Sequence, residues 1–163
     1  MILKNLKKYS IVNLSLVCFI FLIDRLSKIY VTYLDKKYFG TEIFSSKFLN
    51  ISLIWNEGIA FGLLSFGESY FYNILTILIF IIILVLIYMT IKSEGFKKYS
   101  YIMVLGGALG NLFDRVSHKA VPDFIDFHIG NFHWFIFNVA DIFITIGVLF
   151  MIIFELTDKK QKL

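Results

Sequence analysis

The chain has 163 residues, of which 58% are hydrophobic and 17% are charged, and its mean hydropathy is +0.77. Soluble domains average roughly 45–50% apolar and about 25% charged residues, so this composition excludes a single water-soluble globule and indicates a membrane protein. The net charge of +4 comes from lysines beside apolar segments. We therefore expect membrane phospholipid, and no nucleic acid, as the partner of these charges. The single cysteine, Cys18, excludes an intrachain disulfide and a CxxC site.

Four apolar stretches have the length of about 20 residues that a helix needs to cross a bilayer. They cover approximately residues 9–33, 69–91, 99–116 and 134–156. The second has no charged residue over 23 positions, whereas each of the others contains one aspartate. The first is predicted to be an uncleaved anchor, because no small-residue cleavage site follows it. The sequence thus predicts one membrane-embedded domain, residues 1–163.

Lysines mark one side of this predicted domain. Nine lysines lie before the first apolar stretch, between the second and third, or after the fourth. With three acidic residues in the same segments, that side carries a net charge of +6, against −2 for the rest of the chain. The positive-inside rule therefore predicts that both termini are cytoplasmic and that residues 34–68 and 117–133 are external.

The two predicted external segments differ in pattern. In residues 47–65, β-branched and aromatic residues broken by glycines predict short strands. Residues 117–133 alternate aromatic with polar residues, which favours an interfacial loop or a short amphipathic helix. The expected fold is an all-α integral membrane protein with four transmembrane helices, a small extracytoplasmic β-rich segment and a short interfacial loop or helix.

Three aspartates lie inside the predicted helices, where an ionisable side chain is costly and usually faces a protein-lined or wet cavity. Asp24 and Asp114 are each separated from the preceding lysine by 15 uncharged residues, and Asp141 is separated from the following glutamate by 13. At about 1.5 Å per residue, these spacings place all three roughly 20–24 Å from the cytoplasmic side of a layer about 30 Å thick. We therefore expect the carboxylates to converge in the outer leaflet.

A polar residue three or four positions away accompanies each of these aspartates, and residues at that spacing share one helix face. The pairs are Asp24 with Lys28, Asn111 with Asp114, and Asn138 with Asp141. For Asp24 and Asp114 the sequence alone favours structural ion pairs that hold the helices together, with Lys28 and Arg115 as the positive partners.

Asp141 has no evident cationic partner in the sequence, and the segment before it supplies Asp123 and Asp126. Two carboxylates in contact do not both ionise readily, so one pKa rises and a proton is shared. The ionised member can activate water and the neutral member can protonate a leaving nitrogen, which hydrolyses a peptide bond without a metal. The residues alone leave open an ion or proton pathway and a purely structural role.

The three histidines do not suggest a metal-dependent peptidase. His118, His128 and His133 lack the HExxH spacing of zinc peptidases and have no glutamate among them. Histidines at a membrane interface are the favoured interpretation. No pattern typical of a flavin, haem or nucleotide site is present, so the sequence predicts neither a metal nor a cofactor.

Five motifs in chain order resemble the bacterial lipoprotein signal peptidases, also called signal peptidase II. They are DRLSK from Asp24, WNEGIAFG from Trp55, GGALGNLFDR from Gly106, VPDFIDF from Val121 and FNVAD from Phe137. Each motif is short, but together they cover nearly the whole chain and are highly specific. The length, the four spans and the cytoplasmic termini agree with the same family.

The resemblance implies an aspartic peptidase of the bacterial cytoplasmic membrane whose site lies near the outer-leaflet face. The catalytic pair would be Asp123 and Asp141, whereas Asp126 falls outside the matched acid position. The family's substrates are lipoprotein precursors with a diacylglyceryl-modified cysteine, cut just before that cysteine, and we expect a monomer. Supporting roles in the cleft fall to Asn56, Gly58, Asn111, Arg115 and Asn138, and structural polar roles to Asp24, Lys28 and Asp114.

This sequence departs from the family's pattern at three positions beside the motif residues. They are Ile59 in place of alanine, Pro122 in place of valine and Ile142 in place of serine. Proline has no N–H and a fixed φ, so Pro122 alters the hydrogen bonding next to Asp123, but none of the changes removes a carboxylate.

Two other classes of protein compete with a peptidase. One is an ion- or proton-coupled transporter or its accessory subunit, and the other is a structural membrane protein whose buried charges only specify packing. A transport path has to reach both membrane faces, yet the second stretch is uncharged and the acids stop at one depth. This asymmetry favours a site that opens outward only.

Overall fold

The computed structural model describes residues 2–58 and 69–160, with side chains for residues 11–58 and 72–157. The described part contains the helices α1 (Ile2–Lys37), α2 (Ser69–Lys92), α3 (Gly95–His118) and α4 (Val139–Lys160). It also contains the strands β1 (Phe44–Ser45), β2 (Leu49–Asn56), β3 (Val121–Ile129) and β4 (Phe132–Phe137). The protein is therefore mostly helical with one small sheet, as the sequence predicts.

Two helices have the length and apolar composition to cross a membrane. Residues 72–92 of α2 and 139–157 of α4 have mean hydropathies of 3.2 and 2.4. Only 17% and 11% of their apolar windows are buried inside the protein, whereas a core helix of a soluble protein would be mostly buried. Their outward side chains suit contact with lipid. Membrane crossing by all four helices stays a prediction, since α1 and α3 carry several charged residues.

Helix α3 packs against the other three helices, and its glycines allow close approach of α1. A Cβ on Gly106 would lie 2.8 Å from the Ile20 Cβ of α1, and a Cβ on Gly110 would overlap the Asp24 carboxylate. Two glycines spaced by four residues thus let α1 approach the backbone of α3, an arrangement that is also common between membrane helices. This contact brings the charged residues of both helices together.

The four strands form one antiparallel sheet in the order β1-β2-β3-β4. Strand β2 pairs with β3 so that Ile54 faces Asp123 and Asn56 faces Val121. Strands β3 and β4 are joined by a two-residue turn in which Gly130 has a φ of 59°, a conformation that glycine adopts without steric cost. The sheet therefore joins the two segments that were predicted to be external.

Two sequence predictions are wrong in this region. Residues 117–133 do not form an interfacial loop or amphipathic helix: they complete α3 and then form β3 and the start of β4. The fourth apolar stretch was expected from residue 134, but residues 134–137 lie in β4 and α4 begins at Val139. Alternating aromatic and polar residues have the two-residue period of a strand, and pairing with the distant β2 stabilises that form.

The strand prediction for residues 47–65 is confirmed in part. Residues 49–56 form β2, as the β-branched and aromatic pattern indicates. Residues 59–65 of the same prediction, with Ile59 among them, lie outside the described residues.

Candidate active site

Asp123 lies on β3 and is only 4% exposed. Its Oδ1 accepts a hydrogen bond from the side-chain amide of Asn138 at 2.6 Å, and its Oδ2 accepts one from the side-chain amide of Asn56 at 2.8 Å. Asn56 ends the neighbouring strand β2, and Asn138 immediately precedes α4. Amides from two different elements therefore fix the position of this buried carboxylate.

Asp141 lies in the first turn of α4 and forms a reciprocal cap with Asn138. The backbone N–H of Asn138 donates to Asp141 Oδ2 at 3.0 Å, and the backbone N–H of Asp141 donates to Asn138 Oδ1 at 3.2 Å. This is the geometry of a capping box, which satisfies two N–H groups that a helix start leaves free. The Asn111 side-chain amide donates to Asp141 Oδ1 at 2.8 Å. Asn138 thus binds both candidate catalytic aspartates.

Asp123 and Asp141 line the same small polar cavity, which has a volume of about 20 Å³. A cavity of roughly 10–15 Å³ or more holds one water molecule when polar groups surround it. The other lining residues are Asn56, Asn111, Arg115, Val121, Phe135, Ile136 and Asn138. The cavity therefore has room for one water between two carboxylates.

Gly58 and Arg115 connect β2 to α3 beside this cavity. The Arg115 guanidinium donates to the carbonyl oxygens of Gly58 at 2.8 Å and Asn111 at 3.3 Å. The backbone N–H of Gly58 donates to Asn56 Oδ1 at 2.9 Å. The five residues to which supporting roles were assigned thus lie together: four line the cavity, and Gly58 contacts two of those four.

A buried network of charges lies on the α1 side of the cavity. Lys28 Nζ donates to Asp24 Oδ2 at 2.9 Å, to Asn111 Oδ1 at 2.8 Å and to Asp114 Oδ2 at 2.7 Å. All four of these residues are less than 9% exposed. Because Asn111 also donates to Asp141, the three aspartates converge through shared partners, as their equal depth in the sequence predicts.

Asp24 also fixes the start of α4. Its Oδ1 accepts a hydrogen bond from the backbone N–H of Ala140 at 3.0 Å. That N–H belongs to the first turn of the helix, where N–H groups have no partner within the helix and a negative charge is favoured. The network therefore positions the turn that carries Asp141.

Pairing of Asp114 with Arg115 is not what the structure shows. Both carboxylate oxygens of Asp114 accept hydrogen bonds from the guanidinium of Arg25, and Lys28 supplies a third. Neighbouring residues on a helix do not face each other, and Arg115 turns to Gly58 instead. Sequence reasoning missed Arg25, although its place inside an apolar stretch, next to Asp24, was a signal that it would be paired.

Asp126 does not line the cavity. It lies three residues after Asp123 on β3, is 6% exposed, and its carboxylate contacts His133 Nδ1 at 2.8 Å. Its carboxylate is thus bound to a residue of β4 and lies outside the cavity that Asp123 and Asp141 line.

Burial raises the pKa of Asp123 from 3.8 to about 6, and the nearby Asp141 charge also raises it. Between about pH 4 and pH 6 the folded chain therefore holds a proton at this position that the unfolded chain has lost. Stability from this group falls as the pH rises through that interval. A carboxyl group with a pKa near neutrality is suited to exchange protons with a substrate.

We predict that the wild type gains thermal stability relative to Asp123→Asn as the pH is lowered from 7 to 4. Asparagine cannot take up the proton, so the difference in Tm between the two proteins isolates this group. The measurement is Tm in detergent at several pH values. A difference in Tm that stays constant, or that moves in favour of the variant on acidification, would contradict the raised pKa.

Comparison with known proteins places this chain in one family. The sequence model of signal peptidase (SPase) II matches residues 16–157. The chain is 47% identical over 158 residues to the lipoprotein signal peptidase of Pelagibacter ubique (strain HTCC1062), covering 97% of this chain and 95% of that protein. It is 42% identical over 139 residues to the lipoprotein signal peptidase of Francisella tularensis subsp. novicida (strain U112), covering 82% and 86%.

Two solved structures described as bacterial membrane enzymes are also similar. The first, determined by the in meso method at 2.3 Å resolution, has a TM-score of 0.75 and 35% identity and covers 93% of this chain and 92% of its own. The second, determined by the same method at 1.9 Å, has a TM-score of 0.72 and 34% identity, covering 90% and 94%. From sequence motifs, fold and these similarities together, the chain belongs to the signal peptidase II family.

Proposed function

We propose that this protein is an aspartic endopeptidase that removes signal peptides from diacylglyceryl-modified lipoprotein precursors, with Asp123 and Asp141 as its catalytic pair. One observation carries the mechanism: both carboxylates line a cavity with room for one water molecule. The names of the relatives, which are lipoprotein signal peptidases, support the reaction and the class of substrate.

The two carboxylates divide the work of hydrolysis between them. The ionised member takes a proton from the water, whose oxygen attacks the carbonyl carbon of the scissile peptide. The neutral member gives its proton to the departing nitrogen as the C–N bond breaks. Asn138 binds both aspartates, so one residue fixes their relative position. The raised pKa of Asp123 supports a shared proton near neutral pH.

An apolar groove next to the cavity supports a substrate with lipid or apolar segments. It has a volume of about 560 Å³ and reaches Asp141 and Ile142 at the start of α4. Its other walls come from aromatic residues of the β3–β4 hairpin, such as Phe127, Trp134 and Phe137. A groove of this character can hold acyl chains or an apolar peptide while the scissile bond lies at the carboxylates.

The direct test uses the purified full chain and a precursor that carries a diacylglyceryl-modified cysteine. We expect two products whose masses place the cut immediately before that cysteine. The same precursor without the lipid is the matched control, and we expect it to be cut much more slowly. Equal cleavage of both precursors would contradict the proposed substrate class, and no cleavage of either would contradict the proposed reaction.

The proposed reaction also requires a defined orientation in the bacterial cytoplasmic membrane, with the site near the outer face. From the charge distribution we predict that Lys97 and Lys160 are cytoplasmic and that Lys47 and Lys119 are external. Single cysteines at these four positions, in a background without Cys18, can be labelled in intact cells with an impermeant thiol reagent. We expect labelling at 47 and 119 only, and labelling at 97 would overturn the orientation.

Cleavage is predicted to need no metal ion, because an aspartate pair activates water directly. A strong chelator should therefore leave the cleavage rate of the lipid-modified precursor unchanged or higher. The rate is measured with and without the chelator after extensive dialysis. Loss of cleavage that added zinc restores would contradict the aspartate mechanism if a folded variant in which His128 and His133 are both replaced by glutamine, and which therefore lacks the histidine cluster of the β3–β4 hairpin, behaves in the same way.

A further inference from the structure

A second cluster of titratable side chains lies on the β3–β4 hairpin, apart from the aspartate pair. Asp126, His128 and His133 each offer one oxygen or nitrogen atom, and these atoms lie within 4.8 Å of one another. The hairpin places them there: Asp126 and His128 are two apart on β3, and His133 pairs with His128 across the strands. The pairing of β3 with β4 is irregular between Asp126 and His128, and His133 contacts both residues: it pairs with His128, and its Nδ1 lies 2.8 Å from Asp126 Oδ2.

We propose that Asp126, His128 and His133 bind one zinc-type divalent metal ion. Two imidazoles and a carboxylate are a ligand set that Zn²⁺ favours, with water in the remaining position. The edges of a zinc tetrahedron with bonds of about 2.0–2.1 Å measure roughly 3.3 Å. For the three ligand atoms to bind one ion, the distances between them, which are at most 4.8 Å, therefore need to shorten by about 1.5 Å or less.

The burial of these residues suits a metal site with an open position. Asp126 is 6% exposed, whereas the His133 side chain is 51% exposed. His133 Nδ1 lies 2.8 Å from Asp126 Oδ2, so two of the ligands already converge. The exposed imidazole is free to turn toward an ion, and the buried carboxylate supplies a fixed anchor.

His128 supplies an independent observation. Its Nδ1 is buried and has no hydrogen-bond partner among the described residues. A buried polar atom without a partner is costly, and a metal ion bound through this nitrogen would satisfy it. The His128 and His133 rings are stacked, with centroids 5.0 Å apart and planes 19° apart, so the two imidazoles lie side by side.

The site would tie β3 to β4 in the wall of the apolar groove, because His128 lines that groove. It is distinct from the water-sized cavity, which none of the three ligands lines. Metal binding can thus be measured without substrate, and its outcome is independent of the proposed peptidase reaction.

The test is a Zn²⁺ titration of the full chain in detergent, purified without a polyhistidine tag. We expect one ion per chain and a rise in Tm with Zn²⁺, because a ligand that binds only the folded state stabilises it. His128→Gln and His133→Gln should each weaken binding by at least roughly tenfold, since loss of an outer-shell partner alone costs about 10- to 100-fold. Mg²⁺, which prefers oxygen ligands, should not raise the Tm.

His118→Gln is the matched control, because His118 is the remaining histidine of the sequence and lies outside the cluster. We expect this variant to bind Zn²⁺ like the wild type. Circular dichroism and the metal-free Tm confirm that each variant is folded. A further variant, Asp126→Asn, removes the carboxylate ligand and should also weaken Zn²⁺ binding. The proposal is wrong if the folded double variant His128→Gln/His133→Gln binds Zn²⁺ as tightly as the wild type, or if His118→Gln weakens binding equally.

Discussion

Replacing Asp123 or Asp141 with asparagine is expected to lower the rate of precursor cleavage by about 10²- to 10⁴-fold, the usual cost of losing a general acid or base. Asparagine keeps the shape of the side chain but can neither take a proton from water nor give one to the leaving nitrogen. The measurement is cleavage of the lipid-modified precursor per folded molecule, with Tm in detergent recorded for each variant.

Asp35→Asn is the matched control for this experiment. It makes the same change at a half-buried aspartate near the end of α1, outside the residues that line the cavity. We expect it to cleave at close to the wild-type rate. If Asp123→Asn or Asp141→Asn is folded and also cleaves at that rate, the catalytic assignment is wrong and these carboxylates are structural.

Asp114→Asn is expected to destabilise the fold by about 3–5 kcal/mol, because removal of one partner leaves a buried charge uncompensated. The change weakens the bonds of Asp114 to both Arg25 and Lys28. Since Lys28 is 2% exposed, its charge has no access to water. We expect a lower folded yield and a lower Tm, measured by thermal unfolding in detergent.

The control for this prediction is an ion pair near the opposite end of the helices. Lys97 donates to Glu155 at 2.9 Å, but both side chains are partly exposed, at 30% and 56%. Exposed pairs contribute about 0–1 kcal/mol, so Lys97→Gln should change the Tm little. An Asp114→Asn variant as stable as Lys97→Gln would show that the buried network does not hold the helices together.

Much of the site could be predicted because its chemistry depends on depth and on local spacing. Counting uncharged residues places Asp24, Asp114 and Asp141 at one level, and the structure connects all three through Lys28 and Asn111. These features follow from the regular rise of a helix. They need no knowledge of how distant segments pair.

The features that sequence reasoning missed depend on contacts between distant segments. The β3–β4 hairpin is stable because β3 pairs with β2, which is about 70 residues earlier in the chain. Its aromatic residues continue into α4, so β4 resembled the start of a transmembrane helix. The pairing of Asp114 with Arg25 similarly crosses 89 positions, whereas the neighbouring Arg115 was the nearer candidate in sequence.

The most direct test of the central claim is the cleavage rate of the double variant Asp123→Asn/Asp141→Asn beside the two single variants. Residues that act as a unit give strongly non-additive losses, because removal of either one already abolishes the shared step. For folded protein and lipid-modified precursor, we predict that the double variant is scarcely slower than the slower single variant. A double variant whose loss equals the product of the two single losses would contradict a catalytic pair and show that Asp123 and Asp141 contribute independently.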